Sequence, residues 1–224
     1  MTTDALLSLL RLTSSSLPVG AFAYSQGIEY AVEAGWIRTA AEARDWISGL
    51  LLGVQRHQDV PLFARIYRAW EMDNHPLAAR WDYVLMAWRE TAESRAEERA
   101  TGAALAHLLV ALDVRRAGGT ASAEAGFGCA TMFALACVEW GIPLRDAAAG
   151  YLWSWCQNQV AAAVKIVPLG QTAGQRIVVD LTMMIPAIIE SALAVADDDI
   201  GFSAPGLVFA SARHEAQYTR LFLS

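Results

Sequence analysis

No stretch of this 224-residue chain alternates apolar and polar positions for more than four or five residues, so its framework cannot be drawn as a sheet. Apolar side chains recur instead at steps of three and four. Across 41–57 they are Trp46, Ile47, Leu50, Leu51 and Val54; after Pro61 they are Leu62, Phe63, Ile66, Tyr67 and Trp70. A third pattern opens after Asn74-His75-Pro76 and extends to Arg116, passing through the charged run RETAESRAEER into small residues. Further helices are expected over 121–140, 144–167 and 171–195. Gly118-Gly119, Gly141-Ile142-Pro143 and Pro168-Leu169-Gly170 punctuate them. Pro143 suits a first helical turn, and Pro186, inside its pattern, predicts a kink. The expectation is one all-α domain over residues 1–224 with six to eight or more helices. Residues 1–13 and about 200–224 are expected to be termini that a partner orders.

A composition that is 55% hydrophobic, with a mean hydropathy of +0.30, implies either a membrane span or apolar surface kept for partners. The two most apolar windows are interrupted, 127–144 by Glu139 and the Gly-Ile-Pro turn, 177–195 by Asp180, Pro186 and Glu190. Neither offers the roughly 20 unbroken apolar residues that a span requires. The start, MTTDALLSLLRL, has no basic region before its apolar residues and does not read as a secretory signal, so the expected location is the cytoplasm. Net charge is −6 and the pI about 5.2, with no basic run, which excludes nucleic acid as a partner. Lys165 is the single lysine; all other positive side chains are arginine. Cys129, Cys137 and Cys156, odd in number and lacking a CxxC, form neither a disulfide framework nor a zinc site.

The chain also lacks a catalytic constellation. His57, His75, His107 and His214 show no metal-ligand spacing, and a histidine beside a carboxylate, as in RHEA, reads as a surface or capping residue. No GxSxG, HExxH or Cys–His signature is present. The expectation is therefore no catalytic residue, no metal ligand and no tightly bound cofactor. The stretch SSSLPVGAFAYSQGIEY, residues 14–30, raises the question of a phosphate loop, but Gly20 and Gly27 have no following lysine and no strand precedes them. Pro18 and Gly20 shape a bend, and Ser14-Ser15-Ser16 cap or turn the chain. Ser25 is placed to cap a helix over 26–34. Phe22 and Tyr24 then stand exposed before that helix or fold back onto the core. Arg89, Glu90, Glu93, Arg95, Glu97, Glu98 and Arg99 read as a solvated helix face. The ending, IGFSAPGLVFASARHEAQYTRLFLS, predicts a short helix over 211–223 with apolar residues that have no home within the chain. A small α-helical hydrolase or a ligand-binding protein with an apolar pocket competes with a partner-binding scaffold. An amphipathic membrane-surface helix fits less well, because the polar faces are poor in lysine.

Five ordered segments carry a resemblance to a known family: SLPVGAFAYSQGIEYAVEAGWI, DVPLFARIYRAW, RETAESRAEER, VKIVPLGQTAGQR and SARHEAQYTRLFLS. In this order, from about Leu9 to Ser224, they resemble the urease accessory protein UreF family. One departure is Leu223, where that family tends to have arginine. The resemblance implies an all-α homodimer that is not an enzyme and that bridges a UreD-like protein (UreH in some organisms) and the nickel-carrying GTPase UreG. It implies GTP-dependent delivery of Ni²⁺ to apo-urease, with GTP bound by the partner and nickel handled by the complex. It places Gly20, Ala21, Phe22, Tyr24, Ser25, Gln26 and Glu29 in a GTPase-facing loop. Lys165, Gln171, Arg213, Glu215, Tyr218, Arg220 and Phe222 become further partner-binding residues. Lys165 is either such a contact, in a KxVPxGQ-like segment, or a snorkelling side chain at a helix end. Arg220 pairs with Glu215 or a C-terminal carboxylate or, on the resemblance, clamps the tail to the carbonyls around Gly20, Ala21 and Phe22 once the UreD-like partner is bound.

Overall fold

A computed structural model describes residues 1–121 and 126–224; the side chains of 119–121 are not described, and the part of the expected 121–140 helix that falls on 122–125 lies outside the described residues. The described residues form twelve α-helices and no strand. They are α1 (Thr3–Leu12), α2 (Ile28–Glu33), α3 (Ala40–Leu50), α4 (Val60–Glu71), α5 (His75–Ala87), α6 (Ala92–Ala111), α7 (Arg115–Ala121), α8 (Cys129–Glu139), α9 (Leu144–Ile166), α10 (Gln171–Thr182), α11 (Ile185–Leu193) and α12 (Pro205–His214). No helix among the described residues is long and apolar enough to cross a membrane.

The all-α expectation holds, and several boundaries move for identifiable reasons. The first long pattern does not end at His57: α3 passes into a π-helical segment, Leu51–Asp59, and then into α4, with Pro61 in its first turn. The expected helix from His75 to Arg116 is three helices. Thr91 divides it by starting α6, its hydroxyl accepting from Ser94 N while the Ser94 hydroxyl accepts from Thr91 N in return. Gly118-Gly119 lie inside α7 rather than breaking the chain. Pro186 separates two helices instead of kinking one, sitting in the first turn of α11. Pro143 precedes α9 as its cap residue. The terminal helix comes earlier than expected, at Pro205–His214, and the chain beyond it runs through turns and bends.

The core is built around α4. Trp70 is fully buried, its indole N–H donating to Thr131 O at 3.1 Å, and Phe63 stacks on Tyr151 at 5.0 Å with Phe133 edge-on. Tyr67 donates its hydroxyl to Ile142 O at 2.9 Å, pinning the turn before α9. Helices α6 and α8 come together at Gly102, where a Cβ would lie 2.3 Å from Phe127 O and 2.6 Å from Gly128 C. α6 also carries Glu93, Glu97 and Glu98, described below. Gly102→Ala is therefore expected to destabilise the fold by about 1–3 kcal/mol through overpacking. Gly49→Ala, on an exposed face of α3 with nothing within 4 Å of the new methyl, should stabilise it by roughly 0.5–1 kcal/mol. Thermal unfolding of the two variants beside the parent checks both signs.

Candidate functional site where the chain ends meet

Beneath the site lies a buried ion cluster. Burial acts against the charge on Arg89, but Asp59 and Glu98 outweigh it and hold its pKa well above the ordinary value. The guanidinium grips Asp59 with two bonds, 2.9 and 3.2 Å, and reaches Glu98 at 3.0 Å. The π-helical turn brings Gln55 and Gln58 to the same aspartate, at 3.2 and 3.1 Å. Glu98 in turn accepts from Ala130 N at the start of α8. The charged run expected to be a solvated face is thus partly an interior one: Asp59, Arg89 and Glu98 are all buried to nine-tenths or nearly so.

That cluster fixes α6, and α6 presents Glu93 and Glu97, four residues apart, to the loop before α2 and to the C-terminal tail. The loop itself is shaped by three left-handed residues. Gly20 (φ 76°) precedes a short 3₁₀ turn, Ala21–Ala23, and Gln26 (φ 52°) with Gly27 (φ 83°) turns the chain into α2. Gly27 heads α2 without a side-chain cap, while Ser25 Oγ accepts from Glu29 N at 3.3 Å, so the serine supports the helix from two positions further out than expected. Gln26 is held on three sides. It donates to Glu97 Oε1 at 2.7 Å, and its own oxygen accepts from Trp155 Nε1 at 2.8 Å and Gln159 Nε2 at 3.0 Å. Asn158 donates to Tyr24 O at 3.1 Å. Phe22 and Tyr24 are half-buried, a state between the two expected for them.

Against this loop lies the tail, and the expectation that it has no home in the single chain is not met. Glu29, on α2, accepts the backbone N–H of Leu221 at 2.6 Å with one oxygen and that of Phe222 at 2.9 Å with the other. Leu223 N donates to Ala23 O at 2.8 Å. Ser25 donates to Ser224 O from both its N–H and its hydroxyl, at 2.6 and 2.5 Å. Ser224 Oγ reaches Glu97 at 3.3 Å. Phe222 is 5% exposed, with the Lys165 ammonium 5.1 Å from its ring centre, whereas Tyr218, Leu221 and Leu223 face outward. His214 is fully buried, with Nε2 3.1 Å from Glu29 and Nδ1 2.9 Å from Glu93, not the surface residue that its RHEA context implied.

The seam therefore gathers Gly20, Ala21, Phe22, Tyr24, Ser25, Gln26, Glu29, Lys165, Arg220 and Phe222. Arg220 bonds to Glu93 at 3.2 Å and does not clamp the carbonyls of Gly20–Phe22 or pair with Glu215; backbone amides of the tail and the Glu29 carboxylate join the two ends. Arg213 lies over the Phe209 ring at 5.1 Å, within an aromatic group of Tyr30, Trp36, Trp46 and Phe209. Glu215 and Tyr218 are exposed, and Gln171 opens α10 on an exposed face and takes no part in these bonds. Sequence reasoning missed Glu93, Glu97, Trp155, Asn158, Gln159 and His214. Two spacings pointed to some of them, Glu93 and Glu97 at i, i+4 and the run of amides on α9.

A cavity of about 200 Å³ lies under the seam, lined among others by Gln26, Gln55, Arg89, Glu97, Cys129 and Ser154. Its one thiol is a poor nucleophile: burial, with the negative charge of Glu98, pushes Cys129 up to about 12. Burial also pushes the Glu97 carboxyl up to about 7, with Glu98 adding to the rise and the bond from Gln26 opposing it. Because the folded value lies above the ordinary 4.5, folding is favoured by the neutral acid and loses stability as pH rises from about 4.5 through 7. Glu97→Gln is expected to match the parent near pH 4.5 and to be more stable by roughly 1–3 kcal/mol at pH 8. Denaturant unfolding at the two pH values measures the difference.

The family model described as UreF matches residues 37–182. A protein of Alkalilimnicola ehrlichii named urease accessory protein UreF is 45% identical over 96% of this chain and 94% of its own length. Proteins of the same name from Teredinibacter turnerae (45%, 99% of both chains) and Alcanivorax borkumensis (43%, all of both chains) extend the similarity to the loop and the tail, outside the family-model match.

Proposed function

Because the chain belongs to the UreF family of urease accessory proteins, we propose that it acts in urease maturation as a non-enzymatic scaffold. On this reading it joins a UreD- or UreH-like protein to the nickel-carrying GTPase UreG, regulates GTP-dependent insertion of Ni²⁺ into apo-urease, and works as a cytoplasmic homodimer. Nickel is cargo of the assembly and GTP belongs to the partner, so neither is a resident cofactor of this chain. The observation that carries the reading is the seam: backbone hydrogen bonds lock the loop and the tail into one body that turns Tyr218, Leu221 and Leu223 outward and leaves Phe22 and Tyr24 half-exposed. Rigid aromatic and aliphatic side chains on a fixed backbone are what a protein interface uses as anchors, since little entropy is lost when they are covered. The reading as a hydrolase is weaker. The cavity's cysteine is a neutral thiol, and no histidine lies in its described lining to act as a base for it.

Two variants divide the work of the seam. Phe22→Ala removes an anchor without touching the bonds between loop and tail, and is expected to weaken GTPase capture by roughly tenfold or more while leaving capture of the UreD-like protein intact. Glu29→Ala unseats the tail and is expected to weaken both. Pull-downs from cells co-expressing the three proteins, with urease activation as the second readout, test this. Normal capture of both partners by both variants would remove the seam from the interface.

A further inference from the structure

We infer that His214, doubly protonated and shared between Glu29 and Glu93, is a proton-operated latch that seats residues 220–223 against the N-terminal loop, and that alkaline pH releases it. Both ring nitrogens of His214 face carboxylate oxygens, Nε2 toward Glu29 at 3.1 Å and Nδ1 toward Glu93 at 2.9 and 3.1 Å. A carboxylate only accepts hydrogen bonds, so each of these contacts needs a hydrogen on the ring nitrogen, and only the imidazolium has two. Loss of either proton sets a nitrogen lone pair against an oxygen lone pair at about 3 Å, in a place where His214 has no exposure to water.

The same two carboxylates hold the tail. Glu29 takes the N–H groups of Leu221 and Phe222, and Glu93 takes the Arg220 guanidinium. The ring thus joins α2, α6 and α12 at the point where the tail leaves α12. Charge balance gives the direction. Two carboxylates are met by His214 and by Arg220, which is 43% exposed and screened. Without the ring's charge, one buried carboxylate has no full counter-charge, and Glu97, one turn further along α6 and bonded to Ser224, adds repulsion as it ionises. Arg213 and Glu215, the chain neighbours of His214, are both on the exposed side. The latch is closed while the ring is charged and opens as pH rises past its deprotonation.

Trypsin cleavage after Arg220 in the full-length chain reads the open population, measured at pH 6.5, 7.5 and 9 and normalised to a peptide of residues 213–224. The expected result is a normalised rate about tenfold or more higher at pH 9 than at pH 6.5, matching the loss of one charge-assisted bond. His214→Gln, folded by circular dichroism, should be cut quickly at all three pH values, with no pH response. Glu97→Gln should keep most of the parental response, losing only the repulsion that Glu97 adds. A flat parental profile would overturn the inference, and so would a response that Glu97→Gln abolishes, since the switch would then be Glu97. If His214→Gln does not fold, nitrogen NMR of the histidine rings in the parent decides. The His214 ring must carry both hydrogens at pH 6.5 and lose one over the interval in which cleavage rises; a ring neutral at pH 6.5 overturns the inference.

Discussion

A guanidinium withdrawn from water has to be met by carboxylates, and the way Arg89 is met organises this molecule. Its two acids come from different places, Asp59 from the end of the π-helical segment and Glu98 from the middle of α6. The wider turn of the π-helix carries Gln55, Gln58 and Asp59 inward together, so the aspartate reaches Arg89 already flanked by amide donors. Glu98 passes the constraint onward by accepting from Ala130 at the start of α8. Three parts of the chain are thereby fixed around one charge, and the close passage of α6 over α8 at Gly102 follows from the same arrangement.

With α6 fixed, its outer acids have fixed addresses. Glu93 and Glu97 stand one turn apart and meet elements from opposite ends of the sequence, His214 and Arg220 on one side, Gln26 and Ser224 on the other. The bonds between loop and tail are mostly backbone to backbone or backbone to carboxylate, which holds the path of the tail while leaving alternate side chains free to face outward. That explains why Phe222 is buried and its neighbours Leu221 and Leu223 are not. A backbone held by such bonds differs in kind from a chain end without contacts, since its path is set by main-chain groups and the Glu29 carboxylate.

Helices, core aromatics and the absence of strand patterning were legible from the sequence because each is a local periodic signal. Boundaries were less so. The run from Arg89 to Arg99 has the composition of a solvated face, and nothing local marks Arg89 and Glu98 as interior; their burial depends on Asp59, 30 residues away. The π-helical segment has no sequence signature distinct from the helices on either side. The docking of the tail was hidden for another reason. Its donors are main-chain N–H groups, which every residue carries, and their acceptor is Glu29, about 190 residues earlier. Arg220 attracted attention as the tail's one strong donor. The structure gives the larger share of the join to amides that carry no residue identity at all. His214, with a single acidic neighbour in sequence, shows the same limit: both of its carboxylates come from elsewhere.

Lys165 sits at the last turn of α9, its ammonium over the ring of Phe222, and it is the chain's sole lysine. The protein thus carries one side-chain primary amine in total, and nature has put it against the tail. Any reagent or enzyme that acts on amines finds a single internal address, and the modification it leaves reports on one spot. Acylation there would cancel the cation that faces the aromatic ring and add bulk where the tail lies flat. An ordinary surface rich in lysine would dilute such an event among many sites; here it falls on the seam.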